Sequence, residues 1–496
     1  MRITVLILLL TAAPAPASAQ TFDSYRAFRD SLEAVVTMAD AGARDATLRG
    51  LWNALKAEGQ VPFRHRDSVA FLHFEQETDL SVAGDFNRWS SNAWQAARLG
   101  ETWIWIREAT FPTDARLDYK FVTNGGGAWI LDPANPRRQW GGFGPNSELR
   151  MPDYEPSPFV DRVAGRANGS YTQNIALASP ALGYSVNYRV YTPPEYESGL
   201  ANLPVVYVTD GHEYADDRLG SMRAVLDNMI AEDLIVPVIA VFIDPRVGSD
   251  NRRGSQYIQN SDFARFVAEE LVPEIDRAYR TMPHRDSRAI LGTSLGGLNA
   301  AYFGAIRPET FRNIAIQSPA FSGRSWIFDL YRDEPLRDTK IHMTWGTIND
   351  VGPGAEEMAS VMESKGYDLT TKTVSEGHSW GAWRALIDDA LVTFFPQSAT
   401  VDVATGDVPR LARLESVYPN PSSGRVTITY SANGSKAVSF AVHDVLGRNV
   451  ASMSPGLVQS GLQELVWDAG NLIPGVYFLS LRAEGVATHT RSIAVY

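Results

Sequence analysis

Apolar and polar positions change their rhythm several times along the chain, and each change predicts a different kind of element. From Thr21 to about Gly59, the residues Phe22, Tyr25, Phe28, Leu32, Val35 and Val36 recur at three- and four-residue spacing, the stripe of an amphipathic helical pair. From Ser68 to about Asp153 the rhythm shortens to the alternating runs SVAFLHF, TWIWIREA and LDYKFVTN, parted by turn clusters such as Gly125-Gly126-Gly127. That pattern predicts a small β-sandwich. From about Pro158 to Pro396 the runs LPVVYVTDG, VPVIAVFID, SRAILGTS, FRNIAIQSP, KIHMTWGT and DLTTKTV read as buried strands. Helical stretches alternate with them. One runs from Ser261 to Arg280 with Phe263, Phe266, Val267, Leu271, Ile275 and Tyr279 on one side. Such alternation builds a mostly parallel sheet with helices on both faces. Residues 397–413 carry Ser, Thr, Gly and Pro without periodicity and read as a linker; beyond them RVTITY, AVSFAVHD, GVYFLSLR and THTRSIAVY predict a second β-sandwich.

The first residues follow none of these rhythms. Arg2, the apolar run Ile3 to Leu10 and the small residues Ala17-Ser18-Ala19 make the charge, core and cleavage pattern of a secretory signal. The expected organisation is therefore a signal peptide over 1–19, a helical lead-in over 20–67, a sandwich over 68–153, an α/β domain over 158–396, a linker over 397–413 and a second sandwich over 414–496. The apolar run is far short of the roughly 20 residues that span a bilayer, and no later segment is longer, so the protein is expected to be exported and not membrane-spanning. Composition narrows the chemistry. With no cysteine among 496 residues, disulfides, thiolate metal sites and a cysteine nucleophile are excluded. Lys and Arg number 45 against 57 Asp and Glu, a net charge of −12 that repels phosphate backbones, so nucleic acid is not an expected partner. No metal cluster is visible in the pattern, and no cofactor is expected.

Gly292-Thr293-Ser294-Leu295-Gly296 matches the G-x-S-x-G turn that lifts a serine oxygen between a strand and a helix. The apolar Ala289-Ile290-Leu291 precedes it and small residues follow, which is the required setting. A serine hydroxyl needs a base, and the base an orienting acid, in the chain order serine, acid, histidine. Downstream of Ser294 in this region stand His342, inside the apolar run IHMTW where a packed histidine is the better reading, and His378, in the loop SEGHSWGAW. The reading takes His378 as base. Asp350, just past IHMTW, is the expected acid, with Glu356 and Glu357 as competitors at the start of a helix, where acidic side chains ordinarily favour the helix dipole and face water. The oxyanion donors are expected to be the backbone amides of Leu295, after the nucleophile, and of His212, after the strand ending at Asp210-Gly211.

With YVTDGHEY, FVAEELVPEIDRAYR, GTSLGG, WGTIND and EGHSWGAW in place, most of 158–396 resembles the esterase D, feruloyl esterase and enterochelin esterase branch of the α/β-hydrolases. The resemblance implies Ser294 as nucleophile, Asp350 as acid, His378 as base and the His212 and Leu295 amides as oxyanion hole. Two positions depart from it: Ser379 follows the histidine where the family often has an acid, and Arg253-Gly-Ser-Gln256-Tyr257 has glutamine where a glutamate is usual. The stretch VAGDFNRW through DYKFVTN to WILDPANP is similar to glycogen-binding early-set immunoglobulin-like modules. It holds Trp89, Trp94, Trp103, Trp105, Trp129 and Trp140 of the 12 tryptophans. Those rings suit either sugar stacking or packing of the sandwich against the α/β domain. The tail, VYPNPSSGRVTITY through LIPGVYFLSL, resembles type IX secretion sorting domains and implies the type IX machinery as partner. The fold expected is an α/β-hydrolase flanked by two β-sandwiches. The function expected is a secreted serine esterase acting on feruloyl or acetyl groups of polysaccharide, working as an enzyme outside the cell or on its surface. A siderophore esterase, for which Arg246, Arg252 and Arg253 are the clustered cations, and a non-catalytic glycan-binding surface protein are the alternatives.

Overall fold

The computed structural model describes residues 22–397 and, beyond them, 412–418, 422, 424–432, 436–444, 448–458, 461–483 and 486–495. The expected signal peptide over 1–19 and all but the first and last two residues of the expected linker over 397–413 lie outside the described residues. Those up to Gln397 belong to one compact unit and those after it to a second.

Two helices, Tyr25–Val36 and Ala41–Ala57, open the first unit. Ser24 and Asp40 cap them by accepting the amides of Ala27 and Ala43, which satisfies N–H groups the first turns leave free. Their apolar stripe, with Phe28, Leu32, Leu48 and Leu55, packs on Ala70, Leu72, Ile104 and Ile106 of a four-stranded sheet. That sheet buries Val69, Phe71 and Trp105 on its other face, against Val82, Leu117, Tyr119 and Phe121 of a five-stranded sheet. The first sandwich is thus covered on both faces of one sheet. The lead-in also supplies a strand of its own, Phe63–His65, paired with Ser68–Ala70 across a tight turn at Arg66, φ 54°. Lead-in and sandwich share one hydrophobic cluster and one sheet.

The central sheet has nine strands: β1 (Ser170–Tyr171), β2 (Ile175–Ser179), β3 (Tyr184–Thr192), β4 (Val205–Val208), β5 (Ile239–Asp244), β6 (Arg288–Thr293), β7 (Asn313–Gln317), β8 (Lys340–Gly346) and β9 (Asp368–Val374). Their order is β1-β3-β5-β4-β6-β7-β8-β9, with β2 also paired to β3. From β5 to β9 the pairing is parallel, and β1 to β3 add an antiparallel edge. The apolar runs predict the central strands because both faces of β4 to β7 are covered. Two details differ from the pattern. β9, DLTTKTV, is largely exposed, an edge strand whose threonines face water. The helix expected over 261–280 ends at Ala278 and passes through a π segment at Phe266–Leu271, which leaves Phe263, Phe266, Val267, Leu271 and Ile275 wholly buried.

In the second unit a three-stranded sheet (Ala412–Tyr418, Arg425–Ala432, Gly461–Asp468) and a four-stranded sheet (Lys436–Asp444, Asn449–Val458, Gly475–Ala483, Val486–Val495) enclose Leu414, Ile428, Phe440, Val442, Leu479 and Ile493.

Candidate active site

β6 ends at Thr293, and a helix over Leu295–Ile306 starts immediately after Ser294. Turning a strand into a helix across one residue forces Ser294 to φ 57°, ψ −116°, a conformation that costs a non-glycine residue about 1–3 kcal/mol. The surroundings hold it there: the Ser294 amide donates to Gln317 O at 2.9 Å, and its carbonyl accepts from Ala320 N at 3.0 Å. The flanking glycines answer to crowding. A Cβ on Gly292 would sit 2.3 Å from the Gly296 carbonyl oxygen, and one on Gly296 would sit 2.6 Å from Thr209 Oγ1.

Ser294 Oγ lies 3.0 Å from His378 Nε2, and His378 Nδ1 lies 2.6 Å from Asp350 Oδ1. The three side chains named from the sequence are therefore brought together in hydrogen-bonded succession. Asp350 stands in the loop after β8, fully buried, and its second oxygen accepts from the Gly346 amide at 2.6 Å and Ser318 Oγ at 2.7 Å. Burial alone would raise its carboxyl. The hydrogen bond and charge of His378, with those from Gly346 and Ser318, outweigh it and hold the group below the usual carboxylate range. Asp350 stays an anion that accepts from Nδ1–H, which leaves Nε2 with its lone pair toward the serine. The remaining sequence candidates go elsewhere. Glu356 and Glu357 are exposed on the helix Gly352–Lys365, and His342 is buried in β8, 2.8 Å from Thr370 Oγ1.

A cleft of about 710 Å³ opens over this group, and Ser294, His378 and His212 line it. Leu295 is the first residue of its helix and His212 the second of a short helix, Gly211–Tyr214. Amides in such positions have no intrahelical acceptor. Burial pushes the His212 imidazole down to about 4, against the pull of Asp244 3.5 Å away, so it brings no positive charge to the cleft near neutrality. The clustered cations that would suit an anionic substrate have partners within the protein. Arg253 Nε donates to both oxygens of Asp210 at 2.8 and 2.9 Å, Arg246 forks onto Asp244 through Nε and Nη2 at 2.9 and 2.7 Å, and Arg252 covers the Tyr184 ring. Arg253 thus finds its carboxylate in Asp210, while Gln256 donates to Tyr184.

The first sandwich forms the opposite wall. Of its tryptophans, Trp94 stacks on Phe86 and Trp105 is buried in the core. Trp103 lies under Arg98, and Trp140 under Arg218. Trp89 and Trp129 instead line the cleft beside the exposed Phe143, with their rings 6.5 Å apart and 27° from parallel. Trp89 follows Arg88, both at positive φ (59° and 55°), a strained turn that sets the ring into the cleft. The sandwich also grips the loops that carry the site. Asn349 donates to Phe86 O at 2.6 Å, and Arg116 reaches Glu376 and Ser379 on either side of His378. No sequence signal distinguishes these residues, because each faces a partner hundreds of positions away.

Residues 179–394 match the Esterase family model, and residues 416–495 match the secretion system C-terminal sorting domain. Among curated proteins, the uncharacterized protein YjcH of Bacillus subtilis is 28% identical over 237 residues, 45% of this chain and 97% of that one. An endo-1,4-beta-xylanase/feruloyl esterase of Xylanibacter ruminicola is 22% identical over 315 residues, 60% of this chain and 41% of that one, so the match spans under half of that relative. Among solved structures, the ferric enterobactin esterase of Salmonella typhimurium superposes with a TM-score of 0.58 at 18% identity, covering 70% of this chain and 98% of that one; it shares the fold. Among the described residues no helix is long and apolar enough to cross a membrane. The chain is a carboxylic ester hydrolase with an esterase-type α/β-hydrolase fold, and its sorting domain directs it to type IX secretion or the cell surface.

Proposed function

We propose that the protein is a serine esterase that removes feruloyl or acetyl groups from polysaccharide through an acyl-enzyme. The observation that carries the reading is the succession Ser294 Oγ, His378 and Asp350 at 3.0 and 2.6 Å. His378 takes the Ser294 proton as the oxygen attacks the ester carbonyl, and the oxyanion is received by the amides of His212 and Leu295. The same imidazole then gives that proton to the departing alkoxide, releasing the alcohol. Water, deprotonated by His378, cleaves the acyl-enzyme to the acid and restores Ser294.

Because His378 protonates the leaving group, the alcohol half of the substrate must pass over its imidazole. That side is flanked by the sandwich. Gly377 packs on Asp85, and Asp85 accepts from Trp89 Nε1 at 3.1 Å. The alcohol therefore meets the Trp89–Trp129 pair, and flat indole faces suit the C–H face of a sugar ring. Of the cations lining the cleft, Arg253 is paired with Asp210, and Lys120 is outnumbered by the carboxyls of Asp85, Asp118 and Glu213, a balance that favours the polysaccharide reading over siderophore hydrolysis.

A panel of acetyl xylan, a feruloylated xylo-oligosaccharide, methyl ferulate and a catecholate lactone tests the assignment. Turnover of the polysaccharide esters is expected to lead; a marked preference for the lactone would overturn the substrate class, and binding of xylan with no ester turned over would leave only a glycan-binding protein. In Trp129→Ala, KM for the feruloylated oligosaccharide is expected to rise about 3- to 10-fold, the scale of one ring contact, with KM for methyl ferulate unchanged. An equal rise for both esters would move the tryptophan to the acyl side.

A further inference from the structure

Arg116 belongs to the first sandwich, and its setting differs from that of every other arginine near the cleft. It opens the strand Arg116–Thr123, is 1% exposed, and has its guanidinium fully engaged. Nε donates to Glu148 at 2.7 Å and Nη2 to Asp118, both within the sandwich. Nη1 leaves the sandwich: it donates to Glu376 Oε2 at 3.2 Å and to Ser379 Oγ at 3.1 Å. Those two residues bracket His378 in the chain. The main chain joins in, since the Arg116 amide donates to Ser375 O at 3.3 Å.

Glu376 is also tied to the other half of the site. Its carbonyl accepts from Ile348 N at 3.1 Å, in the loop that carries Asp350, and a Cβ on Gly346 would lie 2.1 Å from that same carbonyl oxygen. Two glycines permit the approach. A Cβ on Gly377 would meet the Asp85 Cβ at 2.4 Å, and one on Gly381 would fall within the Arg116 guanidinium. The loop that holds the imidazole is therefore clamped between the sandwich on one side and the aspartate loop on the other.

We infer that Arg116 is a positioning residue for His378: through Glu376 and Ser379, the first sandwich fixes the loop that aims the imidazole at Ser294. Arg116 touches neither substrate nor reacting atoms. It acts on the angle and reach of the ring, for which a displacement of about 1 Å can cost about 10²-fold in rate. The charges agree with a clamp that tolerates a neutral partner. Asp85, Asp118, Glu148 and Glu376 face Arg116 and Arg150, an excess of carboxyls in a buried cluster. Burial pushes Glu376 up to about 7 although Arg116 pulls it back, and burial with the neighbouring Asp118 pushes Asp85 up to about 8. The neutral acid at position 376 still offers its carbonyl oxygen to Nη1.

The inference rests on the role proposed for His378, and the test separates the two. Removing Arg116 itself would leave buried carboxylates unanswered and risks the fold, so the variants are made on the other side of the clasp, in the full chain, where Arg116 keeps Asp118 and Glu148. For Glu376→Ala with Ser379→Ala, kcat on p-nitrophenyl acetate is expected to fall about 30- to 100-fold with KM within about twofold, while circular dichroism and Tm report a folded protein. Glu376→Gln, which keeps the acceptor oxygen, is expected to stay within about threefold of wild type, a rescue that a purely space-filling role would not distinguish from Glu376→Met. Full kcat in the folded double variant, or a loss carried wholly by KM, overturns the positioning role. His378→Ala in parallel tests the base: if it is inactive while the clasp variant is fully active, the clasp alone falls.

Discussion

Ser294→Ala is expected to lower turnover of p-nitrophenyl acetate by about 10⁶-fold, the loss that follows when the nucleophile is taken from a working serine, histidine and acid set. The alanine removes one oxygen and leaves the rest of the site standing, because the strained turn is held by the backbone bonds of residue 294 to Gln317 and Ala320. The variant should fold and bind ester with an unchanged cleft. A residual rate well above that of water would still be expected, since the His212 and Leu295 amides could polarise a bound carbonyl with no covalent step. Initial rates on purified protein, with intact mass after incubation with a fluorophosphonate, check the point: wild type gains one adduct and the variant none. Undiminished turnover in the folded variant would remove Ser294 from the chemistry.

For Asp350→Asn a drop of about 10⁴-fold in kcat is expected with little change in KM. Asp350 accepts on both oxygens, from His378 Nδ1 on one and from Gly346 N and Ser318 Oγ on the other. An asparagine in that place keeps its carbonyl oxygen toward Gly346, whose amide can only donate, and so turns its NH₂ toward Nδ1. The imidazole must then accept at Nδ1 and carry its proton on Nε2, facing Ser294. The base is present, correctly placed and in the wrong tautomer. Rescue of the rate as pH rises toward the alkaline range would agree with this, since hydroxide can substitute for the lost base; a variant within tenfold of wild type near neutrality would mean that another group orients the ring.

The elements that carry these predictions differ in how far they could be read in advance. Ser294 and its turn follow from a short pattern, because crowding at Gly292 and Gly296 involves residues close in sequence as well as Thr209. His378 follows from chain order and from exclusion, His342 lying in an apolar run that marks a buried strand. Asp350 was separable from Glu356 and Glu357 only as a preference, and it is the hydrogen bonds from Gly346 and Ser318 that distinguish it. The antiparallel strands β1 to β3 were not named from the pattern, though YSVNYRVYT alternates, since they lie ahead of the long buried runs that dominate it. The alternating runs of the first sandwich read as a module in its own right. Its tryptophans suit either sugar stacking or packing, and nothing local separates Trp105, which fills the core, from Trp129, which stands 43% exposed in the cleft.

Periodicity and turn chemistry act over a few residues, so the kinds of element, their order and the nucleophile's setting were fixed by the amino acids in their local runs. Which surfaces meet is a different matter. An arginine on a strand costs several kcal/mol to bury alone and far less beside carboxylates, and the carboxylate that reaches Arg116 from the histidine loop is 260 positions further along. Only the folded chain brings them together, and with them the sandwich wall, the indole pair and the hold on His378.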